Sequence, residues 1–331
     1  MALLEVTDLS VMLQTHRGLA RAVRNVSFAL ERGETLGLVG ESGCGKSITA
    51  LSLMGLLPES ATTTGSIRFD GQELTTQTDS QMCRIRGDRI GMIFQEPMTA
   101  LNPVHSIGRQ VSEPLRLHRG LSRAQARTEA IALLDRVGIP DAARRIDAYP
   151  HQFSGGQRQR VTIAMALACG PDLLIADEPT TALDVTIQKQ ILELIGELVA
   201  ERGMALMLIS HDLGVIAQNV ARTLVMYGGA VVESGPTGSV FGNRMHPYTQ
   251  GLFAARPGLS TPRGQRLVTI AGTVPELADL PSGCTFAGRC HLTLPECQAG
   301  APAPVEVEPG HLARCIRLDT VTAEKSEGVA A

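Results

Sequence analysis

The sequence has no tryptophan and only three tyrosines and seven phenylalanines among 331 residues. The flat rings on which single-stranded nucleic acid stacks are therefore scarce. Lysine is rarer still for its class: Lys46, Lys189 and Lys325 are the only three. The charges nearly cancel, 30 Lys and Arg against 33 Asp and Glu for a net −3, and no segment forms a basic arm, so nucleic acid is not an expected partner. No run approaches the roughly 18 consecutive apolar residues of a membrane-spanning helix, the longest candidates being 161–169 and 204–209. The opening MALLEVTDLS lacks a basic segment followed by an apolar one, so no secretory signal is expected and the cytosol is the default location. What remains, 44% hydrophobic and 19% charged, is the composition of a globular chain that buries a core.

Apolar and polar residues alternate over Leu3–Leu13 and Ala22–Leu30, on either side of a polar turn at His16–Gly18, which predicts paired antiparallel strands. Thr35–Val39 is a short apolar strand that runs into a Gly-rich loop and a helix from near Lys46, and Ile67–Asp70 is a further short strand. From about Glu96 to Cys169 the periods are helical, with breaks at Pro103, Pro114, Pro140 and Pro150. A strand at Leu173–Ala176, a helix over 184–201 and a strand over 205–210 then restore the strand–helix alternation of a parallel α/β sheet. The expected organisation is a main α/β unit over 1–255, with a helical subdomain at about 96–169. A separate small appendage rich in Pro, Gly and Cys follows over 256–319, and a mobile polar tail over 320–331.

Gly40-Glu41-Ser42-Gly43-Cys44-Gly45-Lys46-Ser47 fits G-x-x-x-x-G-K-[ST] between a predicted strand and a predicted helix, the context a P-loop requires. Its glycines let successive N–H groups point inward, and the helix start adds partial positive charge, so the loop forms an anion nest. Lys46 would reach the β and γ phosphates of a bound nucleotide, and Ser47 would offer its hydroxyl to Mg²⁺. Leu173–Glu178 is a buried strand that delivers two carboxylates at its end: Asp177 to hold hydrated Mg²⁺, and Glu178 to polarise the attacking water as general base. Two adjacent acids could also cap the following helix; beside the Gly-rich loop, the metal reading is the better one.

Phe153-Ser154-Gly155-Gly156-Gln157 opens a predicted helix over 157–168 and is a second anion-binding helix start. It is similar to the LSGGQ signature of ATP-binding-cassette ATPases, with Phe in place of the first Leu. Gln95, Asp184 and His211 follow the family order, and the resemblance covers about residues 5–240. It implies a fold of the P-loop NTPase cassette type: a RecA-like parallel sheet core, an antiparallel β subdomain and a helical subdomain. It also implies roles. Ser154, Gly155, Gly156 and Gln157 would cap the γ-phosphate of the opposite protomer; Gln95 would sense γ-phosphate and Mg²⁺; Asp184 would bridge protomers; His211 would contact the γ-phosphate. Family members stack adenine on an aromatic residue near the first hairpin, whereas here no aromatic precedes Phe28, so Arg17 or His16 would have to lie over the base.

Four of the seven cysteines are clustered, as Cys284-x5-Cys290-x6-Cys297-x17-Cys315. In a cytosolic chain this density favours metal or redox chemistry over disulfides, and four thiolates can hold Zn²⁺ or an iron–sulfur cluster. The absence of a close C-x2–4-C pair favours the cluster; His291 and His311 are possible substitute ligands. His246-Pro247-Tyr248-Thr249, the CTFAGRC run and the HLARC ending resemble the C-terminal extension of the D-type ATPases of dipeptide/oligopeptide importers. That resemblance implies a [4Fe–4S] cluster, an F-type partner ATPase, two permeases and an extracytoplasmic binding protein. The expected function is ATP hydrolysis that powers a peptide importer from the cytoplasmic face of the inner membrane. A nickel or metal-chelate importer of the same family is one alternative; a soluble cassette ATPase acting on DNA, ribosomes or cluster assembly is the other.

Overall fold

The structure is a computed structural model, and it describes residues 2–181, 183–256 and 269–322. Its strands are β1 (Leu4–Thr15), β2 (Gly18–Leu30), β3 (Thr35–Val39), β4 (Thr62–Phe69), β5 (Gln72–Glu73), β6 (Ile90–Ile93), β7 (Leu173–Asp177), β8 (Ala205–Ile209), β9 (Arg222–Tyr227), β10 (Ala230–Pro236), β11 (Val305–Glu308) and β12 (His311–Ala313). The helices that matter below are α1 (Lys46–Leu53), α2 (Ile107–His118), α3 (Arg123–Arg136), α4 (Gly155–Leu167), α5 (Val185–Arg202), α6 (Leu213–Asn219) and α7 (Pro247–Ala254).

Two sheets form. An antiparallel sheet runs β2-β1-β4-β5, and an eight-stranded sheet runs β11-β12-β10-β9-β3-β8-β7-β6. In the second, β9, β3, β8, β7 and β6 pair in parallel, while β10, β12 and β11 extend the β9 edge in antiparallel fashion. The inner parallel strands are apolar on both faces and sort their residues with a period of two. On β7 and β8, Leu173, Ile175, Met207 and Ile209 join the core shared with the antiparallel sheet, and Leu174, Ala176, Leu206 and Leu208 join the core under the helices. Burying both faces turns the functional side chains out at the strand ends.

The region 96–169 is helical as expected, with one difference. Pro114 lies inside α2 and does not end it. An interior proline costs ~3 kcal/mol in an isolated helix; here Ser106 caps the start, and Ile107, Val111 and Leu115 bury one face against α3 and α4, which offsets the loss. Six strands were not expected from the sequence: β5, β6, β9, β10, β11 and β12. A signal for two of them was present, since Gly228-Gly229 joins β9 to β10 with both φ positive (54° and 80°), the geometry of a tight hairpin turn.

The appendage expected beyond residue 256 is not free-standing. Its last strand β12 pairs with β10, at Glu233 with Ala313 and Ser234 with Leu312, so the segment completes the main sheet. Beneath that pairing, fully buried His311 Nε2 lies 2.8 Å from Glu233 Oε1, and Glu233 also accepts from the N–H groups of Met245 (2.7 Å) and His246 (3.0 Å). Residues 257–268, and 323–331 of the expected mobile tail, lie outside the described residues.

Candidate functional site: a phosphate loop facing paired carboxylates

The loops after four adjacent parallel strands converge on one crevice: the phosphate loop after β3, His211 after β8, Glu178 after β7 and Gln95 after β6. Gly40 starts the phosphate loop where a Cβ would stand 2.2 Å from the Met226 carbonyl oxygen, so only glycine fits against β9. Lys46, 5% exposed, donates to the carbonyls of Gly40 (2.8 Å) and Glu41 (3.1 Å), which draws the loop around its ammonium. Ser47 Oγ donates to Asp177 Oδ1 at 3.1 Å. Burial raises the Asp177 carboxyl above its ordinary range, and neighbouring Glu178 adds to this, while the Ser47 hydroxyl and Lys46 work against it. Ser47 and Asp177 thus present hard oxygens at one point, the donor chemistry that suits Mg²⁺.

Glu178 is the focus of the second half. Its backbone is left-handed at φ 47°, an uncommon state for a residue with a side chain, and its N–H donates to the Ile209 carbonyl at 3.0 Å. That geometry aims the carboxylate along the crevice. Three groups converge on Glu178 Oε2: Gln95 Nε2 (3.2 Å), Thr181 Oγ1 (3.0 Å) and His211 Nδ1 (3.2 Å). Gln95 and His211 were expected near the γ-phosphate; Thr181 was not singled out, although three residues past Glu178 it lies within reach on the same turn.

Signature residues Ser154 and Gln157 form a reciprocal cap at the start of α4: Ser154 Oγ accepts from Gln157 N–H (3.3 Å), and Gln157 Oε1 accepts from Ser154 N–H (3.2 Å). Arg145 donates to the same Gln157 oxygen (3.2 Å) and stacks 4.1 Å above the ring of buried Phe153, so the Phe standing in the first signature position is held by a cation–π contact. Gly156 lies where a Cβ would meet Ile187 at 2.9 Å, and Gly155 faces Leu183. Asp184 caps α5, accepting from Ile187 N–H at 3.0 Å; the helix-capping role considered for Asp177 and Glu178 belongs to it.

Arg17, at the β1–β2 turn, is engaged by carboxylates of the C-terminal region, at 2.6 Å and 2.8 Å from Asp279 and 3.1 Å from Glu276. Cys284, Cys290, Cys297 and Cys315 all line one small cavity, together with His246, Phe286 and Arg317. Burial pushes the Cys284 thiol up to about 11. Among the described residues, no three His, Cys, Asp or Glu side chains are grouped as a metal site, so the [4Fe–4S] or Zn²⁺ expectation has no ligand set in this geometry. His311, weighed as a substitute ligand, is instead the partner of Glu233.

The phosphate loop, the carboxylate-ended strand and the capped Ser-Gly-Gly-Gln helix together define an ATPase cassette. Comparison with known proteins agrees: residues 23–181 match the family described as ABC transporter, and residues 232–297 match the oligopeptide/dipeptide transporter C-terminal region. The chain is 51% identical to a peptide import ATP-binding protein of Brucella melitensis, over 97% of this chain and 98% of that one. It is 48% identical to a peptide ABC transporter ATP-binding protein of Sinorhizobium fredii, over 96% of each. Among solved structures, the dimeric post-hydrolysis cassette MJ0796 with ADP and Pi matches at TM-score 0.64 and 29% identity, covering 71% of this chain and 98% of that one. The CbiO1 component of a Clostridium perfringens ABC transporter complex matches at TM-score 0.62 and 28% identity, covering 73% and 92%. The chain belongs to the ATP-binding subunits of ABC transporters and carries the C-terminal region of their oligopeptide/dipeptide branch. The expected cassette fold and ATPase chemistry hold. Among its described residues no helix is long and apolar enough to cross a membrane.

Proposed function

We propose that this protein is the ATP-hydrolysing subunit that powers an importer of peptides. One observation carries the chemical part: Gln95, Thr181 and His211 all meet one oxygen of Glu178, next to the strand end where Ser47 and Asp177 touch. Glu178 takes the proton of the attacking water, and Gln95 and His211, withdrawn from its carboxylate, orient on the γ-phosphate. Ser47, Asp177 and Gln95 would hold Mg²⁺, which would neutralise charge on the phosphates. Gly40, Glu41, Ser42, Gly43, Cys44, Gly45 and Lys46 cradle the triphosphate, and Arg17 lies at the adenine side.

Two such cassettes close on two ATP molecules, each P-loop opposed by Ser154, Gly155, Gly156 and Gln157 of the other, with Asp184 bridging them. The partner cassette is an F-type subunit. Two permeases bind the helical region, where a cleft between α2 and α3 is lined by Arg109, Arg116, Arg123 and Arg127, and an extracytoplasmic binding protein selects the cargo. The protein works at the cytoplasmic membrane surface. The family match at 232–297 and the names of the relatives support peptide cargo over metal chelates or a macromolecular target.

The four thiols line one cavity without forming a ligand set; drawn closer together they would supply the sulfur donors of a [4Fe–4S] cluster, with Zn²⁺ as the alternative. Iron and sulfide assays on anaerobically purified protein decide between them: zinc alone would remove the cluster. For the ATPase, Glu178→Gln retains ATP binding and lowers turnover by at least a hundredfold; wild-type hydrolysis in that variant removes the general base.

A further inference from the structure

The phosphate loop carries a carboxylate, Glu41, as the second residue of an anion nest, where negative charge opposes a triphosphate. Arg289 of the C-terminal region meets it with a two-pronged contact, Nη1 to Oε2 at 2.7 Å and Nη2 to Oε1 at 3.2 Å. The arginine is itself immobilised. Its side chain is 5% exposed, Nε donates to the Ala271 carbonyl at 2.9 Å, and the guanidinium lies 5.7 Å from the centre of the Tyr227 ring. The backbone of the same loop residue is fixed from the same side, since Glu41 N–H donates to the hydroxyl of buried Tyr248 at 2.8 Å. Tyr227, Tyr248 and Phe286 pack ring to ring beneath these contacts, at 4.7–5.3 Å between centroids.

We propose that Arg289 is a positioning residue for ATP: it neutralises Glu41 and anchors the start of the phosphate loop, so that the C-terminal region sets nucleotide affinity. A bidentate guanidinium–carboxylate pair fixes both charge and orientation, which a lysine would do only in part. Without it, a partly exposed carboxylate would face the phosphates unopposed. The inference rests on the ATPase reading and adds to it a control that lies more than 240 residues along the chain, 248 in the sequence.

The test is calorimetric titration of the full chain with Mg²⁺–ATP, in a parent carrying Glu178→Gln so that nucleotide is not consumed. Arg289→Gln is expected to weaken binding about tenfold, or about 1.4 kcal/mol, with a deficit that shrinks at high salt. Adding Glu41→Gln to Arg289→Gln should recover most of that loss, because the repulsion is then gone. A merely structural arginine would give a double variant as weak as the single one, and that result, or an Arg289→Gln affinity within twofold of the parent, overturns the proposal. Thermal melts verify folding; should Arg289→Gln not fold, Arg289→Lys with and without Glu41→Gln gives the same comparison. Failure of the parent itself to bind ATP would instead count against the ATPase reading.

Discussion

The two halves of this molecule that touch the phosphate loop were built in different ways. On one side, Glu178, Asp177, Gln95 and His211 each leave the end of a parallel strand, and neighbouring strands bring them together. On the other, Arg289, Phe286 and Asp279 arrive from a segment with little regular structure, held by a buried Glu233–His311 contact and a short strand pairing. The first side obtains its precision from sheet register. The second obtains it from packing and charge pairing, so it should be the side that can be loosened without disturbing the strand-end chemistry.

The largest effect expected on the packed side is from Phe286→Ala. Phe286 is 3% exposed and contacts Tyr227, Tyr248 and His246, so its removal should cost about 3–5 kcal/mol. Denaturant unfolding measures it; a loss below about 1 kcal/mol would mean that the C-terminal region contributes little to the core.

Lowering pH should weaken the same region next. Burial holds His246 near 4, below its ordinary value, although Glu233 pulls the other way; its Nδ1 accepts from Tyr248 N–H at 3.1 Å, as the neutral ring can. The unfolded chain takes up this proton at about 6.5. Stability from this group is therefore complete above about 6.5 and is lost as pH falls through about 4, by about 3 kcal/mol in all. Unfolding curves across that window check it, and His246→Gln should flatten the slope; an unchanged slope would remove His246 as its source.

The smallest effect is expected at Arg17. Its contacts to Asp279 and Glu276 are exposed, where ion pairs contribute little to stability. Arg17→Ala should leave the melting temperature nearly unchanged and weaken ATP binding by a few-fold. An unaltered dissociation constant would take Arg17 out of the nucleotide site and leave it as a link to the C-terminal region only.

Legibility followed the same division. The phosphate loop, the Leu173–Asp177 strand and the Ser154–Gln157 helix start were readable because each needs its residues adjacent in the chain, in a fixed strand–turn–helix order. Thr181 was within one turn of Glu178 and was still missed, since a threonine has no spacing rule that marks it. Tyr248 and Arg289 could be quoted as part of a family resemblance, but nothing local says that they meet Glu41, 207 and 248 residues away. Strand β6 and the hairpin of β9 and β10 were short enough for their apolar runs to pass for helix or loop.

The sequence by itself determined the phosphate loop, the paired carboxylates, the capped Ser154–Gln157 helix start and the cysteine-rich character of the C-terminal region, because these are properties of contiguous residues and local backbone geometry. Tertiary structure alone decided that β12 completes the main sheet, that four thiols share one cavity, and that a buried arginine closes on a carboxylate of the phosphate loop. Those contacts join residues far apart in the chain. Only burial, which removes competing water and makes an unpaired charge costly, selects such partners.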